Sequence, residues 1–163
     1  MADLNPIDRL QPCLLDRLFD DEPRSRSESR EEKVISVKRF REGVKRDIEW
    51  LLNSKSRFYD LDDTQSEVRS SVLNYGIRDF TGLSSENLSL RTLENVIYDS
   101  LVTYEPRLIP DELVVRAINP ASTLKKINAL SFEIFGKIWA EPLPQDFILR
   151  TEVLLDTGLI SVI

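Results

Sequence analysis

Histidine is missing altogether from the 163 residues. That absence removes Ser-His-Asp and Cys-His catalysis, every His-ligated metal site and the usual proton shuttle near neutral pH. Cysteine is nearly missing: Cys13 stands alone, so no intrachain disulfide framework is possible and a reducing compartment fits. Long apolar runs are missing too. The opening Met1-Ala2-Asp3-Leu4-Asn5-Pro6 has no basic region followed by an apolar one, so the cytoplasm is the expected location, without membrane insertion. An excess of positive charge is the last thing lacking. The net charge is -6 and the pI near 4.8, the reverse of the balance carried by a protein that neutralises phosphates, and nucleic acid is not the expected partner.

What is present is enough apolar material, 41% of residues, for one domain with a real core and a tail. The tail comes first. In Gln11-Pro12-Cys13-Leu14-Leu15-Asp16-Arg17-Leu18-Phe19 the residues Leu14, Leu15, Leu18 and Phe19 are spaced for one face of a helix about two turns long, with Pro12 at its first position. A helix that short is marginal alone, so it either docks on a partner or caps the domain's own core. Asp20 to Glu32 contains no large apolar residue and reads as a solvated tether. The layout is therefore an arm over residues 1–20, a charged linker over 21–33 and a domain over 34–163.

Within the domain, Val37, Phe40, Val44, Ile48, Leu51 and Leu52 step by three or four residues, the spacing of a helix with one buried stripe. Its other faces mix Lys38, Arg39, Arg41, Lys45 and Arg46 with Glu42, Asp47 and Glu49. A solvated face supported by pairs such as Glu42 with Arg46 accounts for that mixture better than a basic contact strip for nucleic acid. Trp50 lies beside the stripe, over the helix edge. Beyond Ser54 the period fails. Asp60-Leu61-Asp62-Asp63-Thr64 has acids but neither the glycine nor the closing glutamate of a calcium loop, so no metal is expected. Val68, Val72, Leu73, Tyr75, Ile77 and Phe80 are expected to anchor a packed connector, with Gly76 at a left-handed turn.

A second long helix follows, opened by Ser89, with Leu90, Leu93, Ile97, Leu101 and Tyr104 as its stripe and Val96 widening it. Pro106 lacks an N–H and pushes Glu105 out of helical geometry, so the helix ends there. Carbonyls at a helix end favour a cation, and Arg107 is close by; Glu105 at that end needs a cation from its own chain or another. After Pro110 the period becomes two. Three strands are expected: one around Leu113 to Ile118, one around Leu130 to Trp139, and one around Phe147 to Leu155, the last two joined by Ala140-Glu141-Pro142-Leu143-Pro144-Gln145 as an antiparallel pair. Glu133, Lys137, Arg150 and Glu152 fall on the outer face, placed to pair across strands. A sheet this small has edges to protect or to use. The apolar end Leu159-Ile160-Ser161-Val162-Ile163 points to docking.

The expected class is α+β: two main amphipathic helices packed on a small, mainly antiparallel sheet of about three strands. Four stretches then take on a joint meaning. Arg46 to Asn53, Ser71 to Gly76, Tyr104-Glu105-Pro106-Arg107-Leu108, and Phe147 to Glu152 before Asp156-Thr157-Gly158 together resemble the phage baseplate-wedge family that carries a lysozyme-like label, and within it the branch found in bacterial type VI secretion baseplates. Leu14-Leu15-Asp16-Arg17-Leu18 resembles the N-terminal arm of that branch. The resemblance implies a fold similar to the assembly domain of sheath subunits and a structural role without catalytic residues or cofactor. It also implies a place beside the wedge subunits TssF and TssG with TssK nearby, and attachment of the first ring of a contractile sheath. The partner-binding residues it implies are Tyr104, Glu105, Pro106 and Arg107, with Leu14, Leu15 and Leu18 on the arm. The alternative takes the label literally, as a glycoside hydrolase acting on peptidoglycan. That chemistry needs two carboxyls in a cleft, one with a raised pKa, and Glu105 with Asp99 or Glu112 is the best available pair.

Overall fold

A computed structural model describes residues 13–18, 36–57, 66–79, 89–118, 129–139 and 144–163. Pro12, Phe19, the 21–33 linker, the Asp60 to Thr64 loop, Phe80 and most of the loop after Ala140 lie outside them. The helices are α1 (Leu14–Leu18), α2 (Val37–Asn53), α3 (Ser66–Ser70) and α4 (Leu90–Tyr104). The strands are β1 (Val114–Ile118), β2 (Ala129–Ile138), β3 (Gln145–Leu154) and β4 (Ile160–Val162), in an antiparallel sheet ordered β1-β2-β3-β4. The α+β class is as expected. The strand count is corrected from about three to four, because the apolar end of the chain is itself a strand.

Ser36 opens α2, its hydroxyl accepting from the backbone N–H of Arg39 at 3.2 Å. Val44, Ile48, Leu51 and Leu52 are buried, Phe40 is half-buried and Val37 at the helix start is exposed. The stripe therefore meets the sheet only from its second turn onward. On α4, Leu93, Ile97 and Leu101 are buried, while Leu90 is exposed. Ser89 stands at the expected N-cap position, without a side-chain capping bond. These stripes lie on one face of the sheet, against Val115, Phe132, Ile134, Ile138, Phe147, Leu149 and Val153, each burial contributing about 1.5–3 kcal/mol.

The sheet alternates as its period demands. Along β3, Phe147, Leu149, Thr151 and Val153 face the helices, and Asp146, Ile148 and Arg150 face solvent. Register places Glu133 opposite Arg150, and Arg150 Nε donates to Glu133 Oε1 at 2.7 Å on the outer face. Lys137 instead reaches Glu112, at 3.1 Å. After β3 the chain turns through Gly158, at φ 68°, and returns as β4. Asn53 at the end of α2 fixes that return: its side chain donates to Ile160 O at 2.8 Å and accepts from Ile160 N at 3.0 Å.

The connector differs from expectation. Ile77 is buried, but Val72 and Leu73 are 82% and 73% exposed, because the short 3-10 turn Val72–Asn74 points its polar Asn74 inward instead. Gly76 does occupy a left-handed turn, at φ 121°. Ser54 and Ile77 exchange a backbone bond of 2.9 Å there, so close that a Cβ on residue 76 would lie 2.3 Å from Ser54 O. Only glycine satisfies both the backbone angle and the approach.

Candidate docking site

The end of α4 is built as the proline requires. Glu105 N–H makes the last helical bond, to Leu101 O at 2.9 Å, and Leu108 N–H turns back to Glu105 O at 3.1 Å. The chain then runs beside the end of β2: Trp139 N–H donates to Arg107 O at 2.7 Å, and Ile109 N–H to Lys137 O at 2.9 Å. A helix end is thereby fastened to the sheet.

Glu105 finds its cation within the chain. It is only 4% exposed, and Arg107 grips it in a fork, Nε to Oε1 at 2.6 Å and Nη2 to Oε2 at 2.5 Å, the bidentate geometry that suits a guanidinium. Arg107 Nη2 also donates to Asp47 Oδ2 at 2.7 Å. Asp47 Oδ1 in turn accepts from Arg46 Nε and Nη2 at 3.0 and 2.8 Å, and Arg46 Nη1 donates to Asp16 Oδ1 at 2.5 Å. A relay of alternating charges thus joins the corner to α2 and α2 to the arm. Burial works against the Arg107 charge, but the bonds and charges of Glu105 and Asp47 outweigh it and hold its pKa above the ordinary arginine value. Arg46 is held up chiefly by Asp16, and Asp16 is held down chiefly by its bond from Arg46.

Tyr104 closes the other side. Its hydroxyl donates toward the carbonyls of Arg69 and Ser71 at 3.0 and 3.2 Å, and its ring meets Tyr75 edge-on with centroids 5.4 Å apart. Burial raises the pKa of both tyrosines, and for Tyr75 the charges of Asp47 and Glu105 add to it. Of the expected corner residues, Pro106 is exposed and Arg107 is partly so, while Glu105 faces inward. The arm is arranged differently. Leu14 and Leu18 are 76% and 74% exposed, Leu15 is half-buried, and the attachment runs through Asp16 and Cys13, whose thiol donates to Asp16 Oδ2 at 2.9 Å.

Sequence reasoning missed Asp47 and Arg46, reading them as members of a solvated face with Arg46 paired to Glu42. Glu42 lies instead near Lys38, at 4.0 Å. The available signal was position: Asp47 is three residues after buried Val44 and four before buried Leu51, so it flanks the stripe rather than opposing it. Arg46 also lies over the Trp50 ring, 5.0 Å from its centroid.

A second feature lies at the edge of the sheet. β2 pairs with β3 along all of Gln145–Leu154, whereas β4 covers only Thr151 to Val153, with one further bond from Ile163 N to Arg150 O at 2.8 Å. Because backbone groups alternate sides along a strand, residues of the same parity as Arg150, namely Ile148 and Asp146, turn their N–H and C=O groups to that edge, and no described strand meets them. Beside it runs a groove of about 410 Å³ between β3 and the first half of α2, lined by Val37, Arg41, Lys45, Phe147, Leu149 and Ile163 among others.

Comparison with known families places the chain more coarsely. The profile of a family described as baseplate wedge protein gp25 matches residues 38–143, a span that takes in α2, α4, the corner and β2. The chain belongs to that family. No curated protein and no solved structure gives a significant match. The family is one of structural baseplate proteins, and it is also the family of TssE. No helix among the described residues is long and apolar enough to cross a membrane.

Proposed function

We propose that this chain is a TssE-like subunit of a type VI secretion baseplate wedge, acting in the cytoplasm without catalysis to attach the first ring of a contractile sheath and start its assembly. TssF and TssG are its wedge neighbours and TssK lies nearby in the same complex. The observation that carries the reading is the half of β3 that no described strand covers. A strand edge with inward-facing apolar neighbours and a groove alongside is the form that strand addition takes when one protein extends another's sheet. The corner has a supporting part: Arg107 ties Glu105 at the end of α4 to Asp47 on α2, and Pro106 and the outer side of Arg107 remain at the surface for a sheath subunit. Leu14, Leu15 and Leu18 offer a short apolar face to a wedge partner.

The test removes one backbone donor. Ile148 N–H faces the uncovered edge, so Ile148→Pro deletes a bond that only an added strand makes and leaves the β2 ladder its donors. The variant should keep its far-UV circular dichroism and fail to support sheath assembly in cells carrying a fluorescent sheath subunit. Normal sheath formation by folded Ile148→Pro protein would remove the strand-addition reading. The hydrolase alternative finds little support: both oxygens of Glu105 are held by Arg107, Glu112 is paired with Lys137, Asp99 lies exposed on α4, and among the described side chains that line the groove only Glu42 is acidic.

A further inference from the structure

The two walls of the groove differ in chemistry. On the helix side, Lys38, Arg41 and Lys45 line it together with Glu42. Steps of three and four residues keep the three cations on one face of α2, so they run along the groove. Glu42 lies 4.0 Å from Lys38, and Arg41 and Lys45 make no ion pair with any described residue. On the sheet side, Phe147 and Leu149 face inward, while Ile148 faces outward and is 60% exposed. Register aligns Ile148 with Phe135 and Phe135 with Val114, giving an apolar row across the outer face that ends at the uncovered edge.

We infer that the groove takes an extended segment of another protein chain in which acidic and apolar residues alternate, added to β3 antiparallel and end to end with β4. This rests on the strand-addition reading above and adds the chemistry of the segment. Directly opposed residues in a strand pair share a face. A residue opposite Phe147 or Leu149 therefore points into the groove, where the stem of a glutamate packs against those side chains and its carboxylate stands among Lys38, Arg41 and Lys45. A residue opposite Ile148 points outward, where an apolar side chain covers Ile148 and extends the Val114-Phe135-Ile148 row. A basic segment meets three like charges at the same inward positions. Selection here is by charge complementarity, while affinity comes from the backbone ladder.

Two labelled peptides of equal length separate these contributions, one alternating glutamate with valine and the other lysine with valine. Fluorescence anisotropy is measured against the full chain, Lys38→Glu/Arg41→Glu, and Ile148→Pro. The full chain should bind the glutamate peptide about tenfold more tightly than the lysine peptide at low salt, with the preference shrinking as salt is raised. The charge-reversed chain should invert the preference, and Ile148→Pro should lose both peptides. Lys38 and Arg41 are exposed, so the double variant should fold normally. Equal binding of the two peptides, abolished by Ile148→Pro, would overturn the acidic-segment inference and leave strand addition standing. Binding indifferent to Ile148→Pro would remove strand addition itself, and failure of the folded chain to bind the glutamate peptide would overturn the inference.

Discussion

Arg107→Ala is the sharpest perturbation of the corner, because it separates a stability device from a surface charge. It leaves Glu105, 4% exposed, without a cation on either oxygen, and leaves Asp47 with Arg46 alone. Breaking one side of a buried pair costs about 3–5 kcal/mol. The Arg107 side chain keeps 22% of its exposure, so water relieves part of the loss, and about 3 kcal/mol is the expected destabilisation. Glu105→Ala is the milder change, about 1–2 kcal/mol, since Arg107 keeps Asp47 and access to solvent. The double variant should fall short of the sum by about 1–3 kcal/mol, the coupling of residues in one network. Urea unfolding followed by tryptophan fluorescence reads this directly, as Trp139 is bonded to the backbone of Arg107. With an m value of roughly 1–3 kcal/mol/M, Arg107→Ala should move the midpoint down by about 1–3 M. A domain with about 5–15 kcal/mol in hand remains mostly folded, so the proposed sheath attachment can be assayed in the same variants. If Arg107→Ala unfolds within about 0.5 kcal/mol of the parent, the fork does no structural work and both charges are free for a partner.

Acid should release the arm. Asp16 has its folded pKa depressed, first by the bond from Arg46, so its contribution is fully present above the ordinary aspartate value near ~3.9 and is lost as pH falls through the lower folded value. Amide resonances of Leu14 to Leu18 should therefore shift on acidification toward pH ~3, and the shift should vanish in Asp16→Ala; resonances indifferent to both would break the relay at its outer end. Thr151 offers a test of the core: its Oγ1 is buried and has no partner among the described residues, so Thr151→Val, which keeps the shape and removes the hydroxyl, should raise stability by about 1 kcal/mol in the same urea assay. A loss of comparable size would mean that the hydroxyl is bonded.

Legibility followed the range of the interactions. The end of α4 was readable because Pro106 acts on its nearest neighbour, and the faces of β2 and β3 were readable because alternation is local. Glu105's need for a cation was equally local, but the sequence left open which chain would supply it. Val72 and Leu73 were misjudged for the converse reason. Hydropathy assigned them inward, and a 3-10 turn whose Asn74 side chain bonds to Arg69 O at 3.0 Å turned them out. The fourth strand was hidden by its length, three residues, too few for a period to register. What makes it a strand is Asn53, whose two bonds to Ile160 span a separation that no local pattern records.

The first three stretches on which the family resemblance rests are joined by contacts between their side chains, and the first also reaches the strand after the fourth. Asp47 from the first meets Arg107 from the third; Tyr75 from the second packs on Tyr104 from the third; Asn53 from the first fixes the strand that follows the fourth. Buried Ser100 adds a bond from α4 to Gly76 O at 3.1 Å. The corner is therefore better described as the clamp that sets α4 and α2 against the sheet than as a free-standing charged patch. That placement has a consequence for docking. The groove is bounded by α2 on one wall and β3 on the other, and Asp47 sits on α2 two residues beyond Lys45. A change at Arg107 or Glu105 removes or loosens the bond to Asp47 and is expected to reach the groove by shifting α2, apart from any contact that the exposed side of Arg107 makes itself. The outcome that distinguishes this from direct contact is restoration: a second-site change that re-stabilises α2 should restore peptide binding to Arg107→Ala if the clamp is the reason for its loss, and should leave it lost if the guanidinium itself makes the contact.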